Sequence, residues 1–183
     1  MKTLLLIIIG LAVGRFSFSQ DNITIQDLRE ECIRGQAEPI VIPNKNNNAN
    51  FQLQADSLTS IETFSSSSGD LIQIKNWGCE YHTLTFKIET KKCKADTESL
   101  KYWYVKTYEL MKEIEPELDA PIKINDGLEA LNLYVSKNVY DLKLEEEIDF
   151  GGDDIRSFIT LHSIEKNENN NYVIEISFSI GPL

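Results

Sequence analysis

Two helical stripes sit side by side in the middle of this chain, with runs of period-two alternation on both flanks. A chain of that order cannot wind as alternating strand and helix. Helices inserted as a block between consecutive strands indicate an α+β fold, and strands joined by short turns pair antiparallel. The C-terminal flank is the clearest: Tyr172, Ile174, Ile176, Phe178 and Ile180 alternate with Glu175, Ser177 and Ser179, as expected of a half-buried strand. Before it, Ile155 to Lys166 reads as a strand between the turns Gly151-Gly152-Asp153-Asp154 and Asn167 to Asn171. Leu142, Leu144, Ile148 and Phe150 suggest a further strand, with Glu146 breaking its apolar face. On the N-terminal flank, Leu71 to Trp77 is a strand, Gly78 a turn, and Glu80 to Thr90 a second strand whose His82, Leu84, Phe86 and Ile88 share a face.

The first central helix is expected to start at Thr97. Leu100, Trp103, Tyr104, Thr107, Met111 and Ile114 form its stripe, and it ends at Glu115 because Pro116 follows. The second is capped by Asn125 or Asp126, carries Leu128, Leu131 and Val135, and stops near Asn138. The expected core is therefore an antiparallel sheet of about five strands in the order β-β-α-α-β-β-β, with the helix pair packed on one face, over 71–183. Residues 20–70 belong to the same domain as an N-terminal helix over about 24–34 and an irregular extension. Within that extension, 51–70 mixes strand-like spacing (Phe51, Leu53, Ala55) with helix-like spacing (Leu58, Ile61, Phe64).

The first nineteen residues read as an export signal of the Sec type. Lys2 precedes an uncharged apolar run from Leu4 to Val13, and Ser17 and Ser19 supply small residues at −3 and −1 of a cut near Ser19-Gln20. The run is shorter than the roughly 20 residues of a membrane span. The mature protein is thus expected in the periplasm or outside the cell, with no membrane insertion after signal removal. An oxidising compartment makes the three cysteines a pairing question. Cys79 and Cys93 bracket an extended segment that would hold them roughly 40 Å apart, whereas a disulfide needs Cα atoms within about 7 Å. Cys32 with Cys79 is the preferred pair, and Cys32 with Cys93 the lesser alternative.

Removing the signal takes away Lys2 and Arg15 and no acid, which moves the formal charge from −11 to −13. Nucleic acid is not expected as a partner, because backbone binding rests on Lys and Arg. A basic protein is a better match. No catalytic motif stands out. Cys79 and His82 are three apart on a strand and point to opposite faces. His82 and His162 lack a metal-binding companion in sequence; were their strands neighbours, the rings could meet. With two histidines in all, a Ser–His–acid triad has little to draw on. Asp149, Asp153 and Asp154 are the weak candidates for calcium, without a D-x-D-x-D-G loop. No phosphate-binding glycine loop is present, and no cofactor is expected. Tyr102 and Val105 lie opposite the buried stripe and are candidates for an interface. These features favour a non-enzymatic binding or interaction module; a carboxylate-based secreted hydrolase, with or without calcium, and an inhibitor of a basic toxin or enzyme are the alternatives.

Overall fold

The computed structural model describes residues 32, 35–46, 48–91, 93, 99–152 and 155–182. The expected export signal and all of the expected helix over 24–34 except Cys32 lie outside the described residues. Seven strands form one antiparallel sheet: β1 (Asn50–Leu53), β2 (Ser60–Ser65), β3 (Leu71–Trp77), β4 (His82–Thr90), β5 (Glu147–Gly151), β6 (Ile155–Lys166) and β7 (Tyr172–Pro182). Their spatial order is β1-β2-β3-β4-β7-β6-β5. Helices α1 (Leu100–Ile114) and α2 (Ile124–Lys137) come between β4 and β5, with a short 3-10 turn at Glu115–Glu117 carrying Pro116. The chain thus builds one meander, crosses with two helices, and builds a second meander inward until β7 pairs with β4.

The sheet has seven strands where the sequence suggests about five. The two additional ones, β1 and β2, lie in the ambiguous stretch after residue 50. β2 directs Ser60, Glu62 and Phe64 inward, so two of its three core positions are polar and hydrophobic periodicity does not mark them. The expected strand start at Leu142 is also corrected. Leu142 and Leu144 precede the strand and rest against the core from the approach to it, and β5 begins at Glu147.

Both helices cover the same face. From α1, the ring of Trp103 meets that of Tyr172 at 4.6 Å. From α2, Gly127 lies on Phe178 and Phe150. Ile72, Ile74, Leu84, Phe86, Ile88, Ile174, Ile176 and Phe178 form the sheet side of this core and are fully buried. The turn between β3 and β4 needs a glycine. Gly78 has φ +110°, and a Cβ there would overlap the carbonyl oxygen of Tyr81. The next residue, Cys79, is bonded to Cys32, with Cα atoms 5.3 Å apart.

Glu62 ties the segment before β1 to the sheet. Its two carboxyl oxygens accept the backbone N–H groups of Ile40 and Val41 at 2.8 and 3.0 Å, and the side chain is almost wholly buried. Burial pushes its pKa above the ordinary carboxyl value, and the two N–H bonds offset this only in part. A raised carboxyl pKa means that the folded protein keeps a proton the unfolded chain has released. The stabilisation it contributes is complete below about pH 4.5 and is lost as pH rises through the folded value. Glu62→Gln is expected to remove this slope. It should also cost about 1–3 kcal/mol, because the amide nitrogen would face a backbone N–H with no acceptor. Urea denaturation of both proteins from pH 4 to 8 checks this; parallel stability curves would contradict it.

Candidate functional site

The face of the sheet away from the helices is concave. It forms a half-open cleft of about 630 Å³, lined from β2 across to β6, by the start of β5 and by the segment leading into it. Its floor is made of small hydroxyl side chains in register. Thr83 lies opposite Ser179, and Thr85, Ser177 and Thr160 form a row across β4, β7 and β6. Thr83, Thr160, Ser177 and Ser179 are only 8, 4, 4 and 7 % exposed although they face the open side. Curvature and the longer side chains around them shade the floor from bulk water. Thr83 and Ser179 share a hydrogen bond of 3.0 Å between their hydroxyls.

One end of the cleft is aromatic. Trp77 is 40 % exposed, Tyr81 is half exposed, and both line the cleft. Lys75 Nζ lies 4.9 Å from the Trp77 ring centre, and the ring of Tyr81 rests on Gly181. The other end carries His162. Its Nε2 is 2.7 Å from Ser177 Oγ and its Nδ1 is 2.6 Å from Glu145 Oε2. An ionised carboxylate can only accept, so in the neutral ring the proton sits on Nδ1 and donates to Glu145. Nε2 is then the acceptor for the Ser177 hydroxyl.

Three local features build this chain of contacts. His162 faces the open side by alternation with Phe158 and Thr160, and the register of β6 against β7 shifts just after it, between Leu161 and Ser163, so that Ile164 returns to the core. Glu145 has φ +62°, a left-handed conformation that costs a non-glycine residue energy, and its amide donates to the Leu161 carbonyl at 2.9 Å. The loop holding it is fixed from the helix side as well. Tyr104 of α1 donates to the Lys143 carbonyl at 2.6 Å, and Tyr134 of α2 donates to Glu146 at 2.9 Å. Burial raises both phenol pKa values. That of Tyr134 is pushed up to about 12 by burial and by the Glu146 carboxylate, so both phenols stay protonated donors through the neutral range.

Charges along the cleft are mostly matched. Lys87 pairs with Glu175 across β4 and β7 at 3.0 Å. Arg156 bridges Glu147 and Asp149 at 2.9 and 2.7 Å.

The residues singled out from the sequence fall elsewhere. Asp149 is taken up by Arg156, and Asp153 and Asp154 lie outside the described residues. Among the described residues no group of three His, Cys, Asp or Glu side chains is arranged to hold a metal ion. Val105 is exposed, whereas Tyr102 is half-buried with its ring edge-on to Trp103 at 5.2 Å. His82 bonds Asn76 at 2.9 Å beside a second concavity near Pro39 and Pro121. It and His162 sit on opposite faces with β7 between their strands, so the two rings do not meet. Cys79 is in the disulfide, and the remaining thiol, Cys93, is half-buried with its pKa raised by burial, which disfavours the reactive thiolate. The grouping of Ser177, His162 and Glu145 is the arrangement that sequence reasoning missed. One signal was available: apolar residues at 159, 161 and 164 break the period of two beside His162.

No family model, no curated protein and no solved structure matches the chain. Among the described residues no helix is long and apolar enough to cross a membrane.

Proposed function

We propose that this is an exported binding module that holds a small polar ligand in the concave face of its sheet. The observation that carries this reading is the row of hydroxyls, half-buried Thr85 with buried Ser177 and Thr160, at the foot of a cleft with an aromatic end. Sites for small molecules combine apolar wall with a few convergent polar groups. Here the hydroxyls offer donors and acceptors to a carbonyl or hydroxyl, while Trp77 and Tyr81 offer flat apolar area. The mostly matched charges along the cleft favour a neutral ligand, so the overall negative charge of the chain is not what this site uses. The Cys32–Cys79 disulfide supports work in an oxidising compartment after loss of residues 1–19.

Acetanilide, which has a flat ring and one amide carbonyl, is a suitable probe. Titrated into isotope-labelled protein, it is expected to shift the Trp77 indole N–H and the amides of Thr85, Ser177 and Thr160. The indole of Trp103, buried under the other face, serves as the internal reference. Trp77→Ala should weaken binding about tenfold, which corresponds to about 1.4 kcal/mol. Absence of shifts at millimolar probe, or shifts confined to the helix side, would overturn the reading.

A further inference from the structure

We propose that the cleft also carries out acyl transfer, with Ser177 as nucleophile and His162 as general base, on neutral esters whose alcohol is a good leaving group. The inference rests on the binding reading, because the ester must lie in the same cleft. Its support is geometric. A nucleophile hydrogen-bonded to a base, itself oriented by a third group, is the pattern that activates a serine hydroxyl. Here the two contacts are 2.7 and 2.6 Å, and all three side chains line one cleft. One departure from regular backbone contributes to the alignment: the left-handed residue Glu145, whose carboxylate meets His162 Nδ1. Such residues cost energy and gather at functional sites.

The surroundings also define the substrate. The amide of Ser177 lies within a central strand flanked by β4 and β6, so the donors to an oxyanion must be side chains. Thr85 and Thr160 stand directly opposite Ser177 on its two neighbouring strands. Two neutral hydroxyls stabilise an oxyanion less firmly than a pair of fixed backbone amides. This site therefore suits aryl or other activated esters and not peptide bonds.

In the first half of the reaction, Ser177 Oγ bonds to the acyl carbon as its proton passes to His162 Nε2. The carbonyl electron pair moves onto oxygen, between Thr85 and Thr160. Collapse breaks the acyl–oxygen bond of the ester, and the departing alkoxide takes the proton from Nε2. Water then attacks the acyl carbon and gives a proton to Nε2. The bond to Ser177 Oγ breaks, and Oγ takes that proton back. One ester and one water yield one alcohol and one carboxylic acid. Glu145 acts as a positioning residue, holding the Nδ1–H tautomer.

The test uses the wild-type protein with a fluorophosphonate probe and with p-nitrophenyl acetate. A single phosphonyl adduct is expected, mapped to Ser177 by peptide mass spectrometry, together with ester hydrolysis above the solution rate. Ser177→Ala should abolish both. His162→Gln should lower the rate about 100-fold or more, and Glu145→Gln should lower kcat about tenfold with KM unchanged. Urea midpoints near that of the wild type would show that these variants are folded. No adduct on the wild-type protein, or hydrolysis unchanged in Ser177→Ala, would overturn the inference. If acetanilide still shifts Trp77 and the floor amides in that case, the acyl-transfer inference fails and the binding reading stands. If acetanilide also leaves them unmoved, both fail.

Discussion

Phe178→Ala is expected to lower stability by about 3–5 kcal/mol, the range for deleting a large aromatic side chain from a close-packed core. Phe178 is fully buried at the centre of the covered face. Its ring stands edge-on to Phe86 at 5.8 Å and to Phe150 at 6.4 Å. The helix above has nothing to collapse into the space, because α2 approaches there through Gly127. A Cβ on Gly127 would lie 2.9 Å from Phe178 Cε1 and 3.1 Å from Phe150 Cε1.

This makes a second measurement informative. Gly127→Ala alone should gain about 1 kcal/mol in helix propensity, yet overpacking typically costs about 1–3 kcal/mol. A net loss is therefore expected in the wild-type background. With Phe178 already shortened to alanine, the obstruction is gone and Gly127→Ala should become neutral or stabilising. The coupling between the two sites should reach about 1 kcal/mol or more. Urea denaturation of the four proteins gives the cycle, and strictly additive effects would show that α2 does not rest on this ring.

Cys79→Ser is expected to cost about 2–4 kcal/mol. The bond links residues 47 apart in sequence, and closing a loop of that length removes much conformational freedom from the unfolded chain. Cys32 is buried beside the sheet, so the loss should also release the stretch that runs on to Ile40 and Val41. The wild-type urea midpoint should fall on reduction, while that of Cys79→Ser should not respond to reductant. Cys93→Ser is the control: its thiol is free, and the substitution should leave the reductant response intact. A midpoint equally sensitive to reductant in Cys79→Ser would contradict the assignment.

Much of the architecture was legible because local spacing reports which face a residue serves. The alternation of β7 and the stripes of α1 and α2 involve few polar exceptions, and each element lies close to where the pattern placed it. The disulfide was legible for a related reason: a strand between Cys79 and Cys93 keeps them apart, which left Cys32 as the partner. β2 was not legible, since Ser60 and Glu62 occupy core positions and Glu62 answers backbone N–H groups more than 20 residues earlier in the chain. The start of β5 was obscured because Leu142 and Leu144 alternate like a strand while lying in the loop that presents Glu145.

The cleft was the least legible part. His162 could be seen only as a lone histidine and Ser177 only as a small residue opposite an apolar face. The sequence by itself determined the block order of strands and helices, the inward and outward faces of the main strands, and that Cys32 is one partner of the disulfide, because each follows from periodicity or reach along a short stretch; the choice of Cys79 over Cys93 came from the structure. Only the tertiary structure decided that seven strands join, that their outer face is concave, and that Ser177 meets His162 and Glu145 there. Those outcomes depend on register between distant strands and on a loop fixed by Tyr104 and Tyr134 from two helices. No local pattern carries information about such contacts.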